Sequence, residues 1–307
     1  MIEAPTTLEL GVTDHDIAEA MAPYVRERYA TADPAWETIV RESARTQRRR
    51  RLRRHVLGWW SAKRRTQASI EPAYSRYWQT QALEEQVGTD GPVVPCVWRD
   101  AGLLARSIAM KRIHLLFLAR VIARLRPAHV LEIGAGNSLN MFVLAAMCPG
   151  VRFTGLELTG GGIASATTTC RLPELPAAVQ AFAPAPVVDP HPFSRISFVR
   201  GSAAALQFAD RSVDLVMTVL ALEQMKEIQH VALREIGRVA RRAVAMLEPF
   251  FEWNARGTHR DYIVAHDYFT GAIRDLPGFG LAPMLATDDM PSKITFRAGL
   301  VVCGVDA

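Results

Sequence analysis

The stretch Val130-Leu131-Glu132-Ile133-Gly134-Ala135-Gly136-Asn137-Ser138 decides the fold of this chain. His129 to Ile133 is a short apolar run interrupted by one acid, the pattern of a buried strand. Gly134 and Gly136 then turn the chain into a second apolar run, Leu139 to Met147, which reads as a helix. A strand, a glycine turn and a helix start together make a nucleotide-binding corner. Glycine suits that corner because a Cβ would block close backbone approach to a ligand, and because the turn calls for φ > 0. The helix N-terminus adds free N–H donors.

The surroundings narrow the ligand. The dinucleotide fingerprint G-x-G-x-x-G wants a third small residue, and Leu139 stands in that place. A second strand, Val151 to Leu158, carries Glu157 about where a ribose-binding carboxylate belongs. Such a carboxylate can accept from both ribose hydroxyls. Glu132 and Glu157 together suit a ligand with a ribose and a cationic centre rather than a pyrophosphate.

On these residues the sequence resembles the class I S-adenosylmethionine (SAM)-dependent methyltransferases, and within them the methyltransferase type 11 group. VLEIGAGNS matches the first motif of that family, and Gly201 to Val216 resembles its adenine-side motif and fourth strand. The resemblance runs from about Leu104 to Val305. It implies S-adenosyl-L-methionine as cofactor, with a cofactor set of Glu132, Gly134, Ala135, Gly136, Asn137, Glu157, Leu158, Ser202, Ala203, Val219 and Leu220. Within that set Gly134 to Gly136 approach the methionine part, and Glu132 orders the turn or meets the ammonium. Glu157 takes the ribose, Ser202 and Ala203 border the adenine, and Val219 and Leu220 lie under the sulfonium. Ser202 departs from the family pattern, because relatives commonly place an aspartate there; a hydroxyl is a neutral, weaker acceptor.

The composition is that of an ordinary globular protein: 307 residues, 49% apolar and 22% charged. No apolar run reaches the roughly 18 residues of a membrane span. The first 20 residues carry Glu3, Glu9, Asp14, Asp16 and Glu19, unlike a signal peptide, so a cytoplasmic location is the default expectation. Cys96, Cys148, Cys170 and Cys303 are scattered, which argues for reduced thiols over zinc or disulfides. No metal-ligand cluster stands out.

The chain divides, on this reading, into an arginine-rich helical extension, residues 1–103, and a methyltransferase domain, residues 104–307. Met1 to about Gly88 lacks strand alternation and is helix-permissive. Arg41 to Arg65 holds eleven Lys/Arg and one acid, Glu42, so it carries +10 against +5 for the whole chain. In Arg48 to Arg65, Leu52, Val56, Trp59 and Trp60 share one helical face. Three roles stay open for it: packing on its own domain, lying peripherally on an anionic inner-membrane surface, or contacting nucleic-acid phosphates. Tyr74, Tyr77, Trp78 and Trp98 follow; in many relatives a segment just before the core closes over the SAM site, while ordinary packing is the plainer reading. Gly88 to Pro95 reads as a linker.

Leu104 to Leu125 reads as a helix stopped by Pro127. Strands are expected at His129–Ile133, Arg152–Glu157, Ile196–Arg200, Val213–Val219, Ala243–Glu248, Leu281–Thr287 and Thr295–Cys303, with helices at Glu227–Arg241 and Ala265–Leu276. Arg171 to Pro192, with six prolines, reads as an inserted loop with a short helix at Glu174 to Phe182, of a length often found in lids. The expected class is α/β: a Rossmann-like, doubly wound sheet of about seven strands, the last antiparallel, with an N-terminal helical extension.

Methyl transfer is an in-line displacement in which the protein supplies alignment and excludes water. A hydroxyl acceptor also needs a base. Candidates after the fourth and fifth strands are Glu223, Glu248, His259 and His266. The function that follows is methylation, on oxygen or nitrogen, of a small-molecule or glycan- or lipid-linked acceptor. The alternatives are an RNA or protein methyltransferase docking through the basic segment, and a non-catalytic adaptor of the same fold.

Overall fold

The structure, a computed structural model, describes residues 8–61 and 66–305. Ahead of the glycine corner come helix α1 (Asp14–Met21), strand β1 (Val25–Ala30), the long helix α2 (Pro34–Ser61), α3 (Gln67–Gln79), α4 (Leu83–Val87), strands β2 (Val93–Trp98) and β3 (Ala101–Arg106), and helix α5 (Ile108–Leu125). Then follow β4 (His129–Ile133), α6 (Leu139–Met147), β5 (Arg152–Glu157), α7 (Gly160–Thr169), α8 (Ala177–Phe182), β6 (Ile196–Arg200), β7 (Val213–Val219), α9 (Gln229–Val239), β8 (Ala240–Glu248), α10 (Gly257–His266), β9 (Leu281–Thr287), β10 (Ser292–Lys293) and β11 (Gly299–Val305).

The main sheet has seven strands in the order β6-β5-β4-β7-β8-β11-β9. β4 through β8 run parallel, and β11 is antiparallel to both β8 and β9. The centre of this sheet is covered on both faces, which is why β7 is a continuous apolar run buried at every position. One face packs α5 and α6 through residues such as Leu115, Leu118 and Phe142. The other packs α9 through Leu233 and Ile236, with Phe250 and Phe269 beside them. The sheet order steps both ways from β4, so the carboxyl ends of β4 and β7 flank the crevice where such folds bind ligands.

The region before the core differs from a purely helical extension. β1, β3, β2 and β10 form a second, antiparallel sheet, so residues 292–293 pair with β2, about 195 positions earlier in the chain. Strand β1 reads VRERYA and is exposed at most positions, so no apolar alternation marks it. Its place comes from pairing with β3. The linker expected at Gly88 to Pro95 runs into β2, and the helix expected from Leu104 begins only at Ile108 because Leu104 to Arg106 belong to β3.

Two further expectations shift. The helix expected at Ala265 to Leu276 is not one element: α10 ends at His266 and is capped by Asp267, whose φ of 58° is left-handed and cannot continue a helix, and a 3-10 helix begins at Ile273. Phe269 N–H then donates to the Glu223 carbonyl instead. The proline-rich segment contains its short helix, α8, but Val179 and Phe182 are buried in the core, and residues 171–192 take no part in lining the main cavity.

Candidate functional site

The glycine corner is built by its backbone. Gly134 (φ 75°) and Gly136 (φ 59°) are both left-handed. A Cβ on Gly134 would stand 2.6 Å from the Ala221 Cβ, and one on Gly136 would stand 2.6 Å from the Trp78 ring. Both residues therefore need the missing side chain for conformation and for space. Gly134 and Ala135 N–H donate to the Leu156 carbonyl, which locks the turn onto β5.

Glu157, at the end of β5, is 6% exposed. Its Oε2 accepts from Gly136 N–H at 2.8 Å, and its Oε1 accepts from Thr159 N–H at 2.9 Å and the Thr159 hydroxyl at 2.7 Å. Three of its roughly four acceptor positions are thus used to tie the glycine turn to the start of α7. Glu132 lies below the corner, 1% exposed, with Oε1 accepting from Asn140 Nδ2 at 2.6 Å. Its Oε2 has no hydrogen-bond partner among the described residues. Burial pushes this carboxyl up to about 7, opposed by the Asn140 hydrogen bond and by the nearby Lys111 ammonium.

A cavity of about 550 Å³ opens in front of the corner, within the range of small-molecule sites. Gly134, Ala135, Asn137, Glu157, Leu158, Ala203, Val219, Leu220 and Glu223 line it. Asn137 Nδ2 is buried and unpartnered among the described residues, a donor with nothing to donate to. Gly136 is covered by Trp78, and Glu132 sits behind the wall. Ser202 is also outside the lining, because its hydroxyl accepts from the Gln67 amide at 2.5 Å and from Ala204 N–H at 3.1 Å.

The opposite wall is α3. Gln67, Ile70, Tyr74, Tyr77 and Trp78 face the same cavity. Tyr74, Tyr77 and Trp78 stand at i, i+3 and i+4 on one helical face and pack together, with the Tyr77 and Trp78 centroids 4.8 Å apart. Three polar ties join α3 to the core: Gln67 to Ser202, Gly161 N–H to the Ser75 hydroxyl at 2.9 Å, and Arg200 to Glu71 at 3.3 Å. The aromatic spacing was the sequence signal for this wall; the three ties had none.

The loop after β7 forms the floor. Leu220 has φ 52°, a conformation that costs a branched side chain about 1–2 kcal/mol. Leu220 N–H donates to the Leu247 carbonyl at 3.0 Å. The Glu248 carboxylate then accepts from Ala221, Leu222 and Glu223 N–H at 2.9, 3.0 and 3.2 Å. Glu248 is fully buried and outside the cavity, so it braces this loop rather than meeting an acceptor. Burial drives its carboxyl up to about 7 against the lowering effect of those N–H donors.

The two candidate histidines are also elsewhere. His259 and His266 lie on α10, outside the cavity lining. His266 stacks on Tyr262 at 4.0 Å, and its Nδ1 lies 2.9 Å from the Tyr262 carbonyl. Burial lowers the His259 pKa, with Arg297 adding to that. Glu223 alone of the acid–base candidates faces the cavity.

Lys111 of α5, not singled out in the sequence, also lines the cavity. Its ammonium donates to Asn140 Oδ1 at 3.1 Å, which completes a chain from Lys111 through Asn140 to Glu132. Burial lowers the Lys111 pKa and Glu132 opposes that shift. A lone lysine among apolar residues in Ile108–Leu125 gives no sign of this role.

With the geometry in place, the comparisons give the class. Residues 131–246 match the family model described as a methyltransferase domain. No curated protein sequence matches the chain. Among solved structures, magnesium protoporphyrin IX methyltransferase from Synechocystis PCC 6803 with bound S-adenosylhomocysteine superposes with a TM-score of 0.53 at 10% identity, covering 78% of this chain and all of that one. A putative methyltransferase in complex with the Trm112 activator from Haloferax volcanii gives 0.47 at 17% identity, over 65% and 92% of the two chains. Geranyl diphosphate C-methyltransferase from Streptomyces coelicolor gives 0.46 at 10%, over 77% and 98%. The chain carries a class I SAM-dependent methyltransferase domain. The protein is accordingly a methyltransferase whose methyl donor is SAM.

Proposed function

We propose that SAM lies in the cavity between the glycine corner and α3, and that the methyl group passes to a small-molecule acceptor on oxygen or nitrogen. The observation that carries this reading is the cavity itself, with two left-handed glycines at its back and the unpartnered Asn137 amide in its wall. Bound SAM supplies an activated methyl group on a sulfonium. Gly134, Ala135 and Asn137 would hold the methionine part, Glu157 and Leu158 the ribose, and Ala203 the adenine edge. Glu132 acts through Asn140, and Ser202 through Gln67, so both position neighbours rather than touch the ligand. Tyr74, Tyr77 and Trp78 exclude water from the site, which favours transfer to the acceptor over loss to solvent.

The test is calorimetry with S-adenosylhomocysteine (SAH). Wild type should bind at micromolar scale, and Glu157→Ala should lose about 1–3 kcal/mol. Equal affinity in the two proteins removes the ribose assignment, and tighter binding of NADH than of SAM overturns the site.

A second reading concerns docking. α2 packs on α10 with Gln47 buried and Arg51 bonded to Asp261 at 2.6 Å. Leu52 and Val56, by contrast, are 62% and 63% exposed, so this part of the apolar stripe does not pack on its own domain. Arg48, Arg49, Arg50 and Arg53 are exposed around it. The Trp59 and Trp60 side chains lie outside the described residues. The exposed residues support a role for α2 in meeting an anionic surface, either lipid or nucleic acid.

A further inference from the structure

Behind Val219 and Leu220 lies a second cavity, of about 220 Å³. Lys111, Val219 and Leu220 line both cavities, so the two meet at these residues. The far wall is supplied by β10 and the segment after it, through Ser292, Lys293, Phe296 and Ala298. This is the part of the chain that leaves the main sheet to pair with β2, so the small sheet is what brings Lys293 to the site.

The lining is apolar apart from Ser107, Lys111, His114, Ser292 and Lys293, and it contains no carboxylate. Lys111 donates to Asn140, which leaves two of its three N–H groups. Glu223, which lines the main cavity, is the carboxylate whose charge acts on Lys293, as Glu132 acts on Lys111, but the Lys293 ammonium has no hydrogen-bond partner among the described residues. Nor have the His114 ring nitrogens, although His114 is only 5% exposed. Burial, helped by Lys111 and Lys293, pushes the His114 pKa down to about 3, so the imidazole is neutral at physiological pH. Two lysines and a neutral ring on an otherwise apolar lining, with the carboxylates of Glu132 and Glu223 outside it, favour an anionic group in this cavity.

We propose that this cavity holds the methyl acceptor, and that the acceptor is a small molecule with an apolar body whose carboxylate is methylated. The proposal rests on the cofactor reading above. Lys111 stands at the junction of the two cavities, so an anion held there is the acceptor group nearest the methyl donor. A carboxylate is ionised at neutral pH and needs no base. That agrees with a junction furnished with ammonium groups. In the step, a carboxylate oxygen forms a bond to the methyl carbon as the carbon–sulfur bond breaks. The electron pair of that bond stays on sulfur, so the sulfonium and the carboxylate become a neutral thioether and a neutral methyl ester. No proton moves.

The test uses the full chain saturated with SAH, titrated with benzoate and hexanoate and with their primary amides as neutral controls. The acids should bind at least tenfold tighter than the amides. Lys293→Met should erase that preference and Lys293→Arg should keep it, with SAH affinity unchanged in both. With SAM in place of SAH, the product should release methanol in alkali, as an ester does. Equal binding of acids and amides by a wild type that binds SAH overturns the proposal and leaves the cofactor reading standing. So does an acid preference that survives Lys293→Met. A chain that binds no SAH refutes the cofactor reading, and this proposal falls with it.

Discussion

The Trp78 ring lies against Gly136, so close that a Cβ on the glycine would stand 2.6 Å from its Cζ2. One residue opens the nucleotide corner of the core and the other ends the aromatic face of α3, 58 positions earlier in the chain. The contact makes the segment before the core a wall of the site. Gly136→Ala should therefore displace α3 as well as strain the turn, and should cost more SAH affinity than Trp78→Ala. The latter should cost about tenfold, or about 1.4 kcal/mol, for one lost aromatic wall. Calorimetry on both variants decides this, and unchanged affinity in Trp78→Ala would detach α3 from the site.

The ties from Gln67, Glu71 and Ser75 to the core are few and polar, while α3 has no fully buried residue. An element held this way should open at low free energy in the unliganded protein. Amide hydrogen exchange across Gln67–Gln79 should slow markedly when SAH is added, more than across α9. Equal protection with and without SAH would mean that α3 is a fixed wall.

Glu248 accepts three backbone N–H groups from the loop that carries the strained Leu220. Glu248→Ala leaves those buried donors unpaired and should cost about 3 kcal/mol or more of folding stability. Glu248→Gln should cost less, because one oxygen remains. Denaturant titration of both variants checks the order. A Glu248→Ala protein of normal stability but without methyl transfer would make Glu248 a catalytic residue instead.

The seven strands of the main sheet were legible because each is short, apolar and bounded by turn residues; β4, β5, β6, β7 and β9 fall where the sequence places them. β1 was not legible, because Arg26, Glu27 and Arg28 are exposed on an edge strand and carry no alternation. The pairing of Ser292 and Lys293 with β2 was hidden for another reason: a two-residue strand has no period to read. The corner residues Gly134, Ala135 and Asn137 announce themselves by local pattern, and they do line the cavity. Lys111, Lys293 and the α3 aromatics come together only through long-range packing. Glu248, His259 and His266 look like acid–base groups in sequence, and only the fold shows which way each is used.

His114 gives a pH signature. Its folded pKa, about 3, lies below the ordinary value of 6.5, so between these limits the unfolded chain binds the extra proton. The contribution of neutral His114 to stability is complete above pH 6.5 and is lost as the pH falls toward 3. Wild type should therefore lose more stability on acidification than His114→Gln, by up to about 1.4 kcal/mol per pH unit inside that window. Parallel pH–stability curves for the two proteins would show that the imidazole is not held neutral.

For α2, Leu52→Ser/Val56→Ser should weaken binding to phosphatidylglycerol vesicles even at low salt if the helix meets lipid. If it meets nucleic acid, that pair should matter little, and affinity should fall steeply with salt as counterions are released. Absence of binding to either polyanion would leave the exposed stripe without a docking role.

The central claim is that SAM binds at the glycine corner beneath α3. The most direct measurement is the SAH affinity of Gly134→Val set beside that of wild type, with circular dichroism to confirm that both are folded. At φ 75°, with the Ala221 Cβ 2.6 Å from the added carbon, the variant has no room for the turn and the ligand together. Micromolar binding by wild type and a loss of at least about a hundredfold in a folded Gly134→Val, or about 2.7 kcal/mol, is the predicted result. Equal SAH affinity in the two proteins would contradict it.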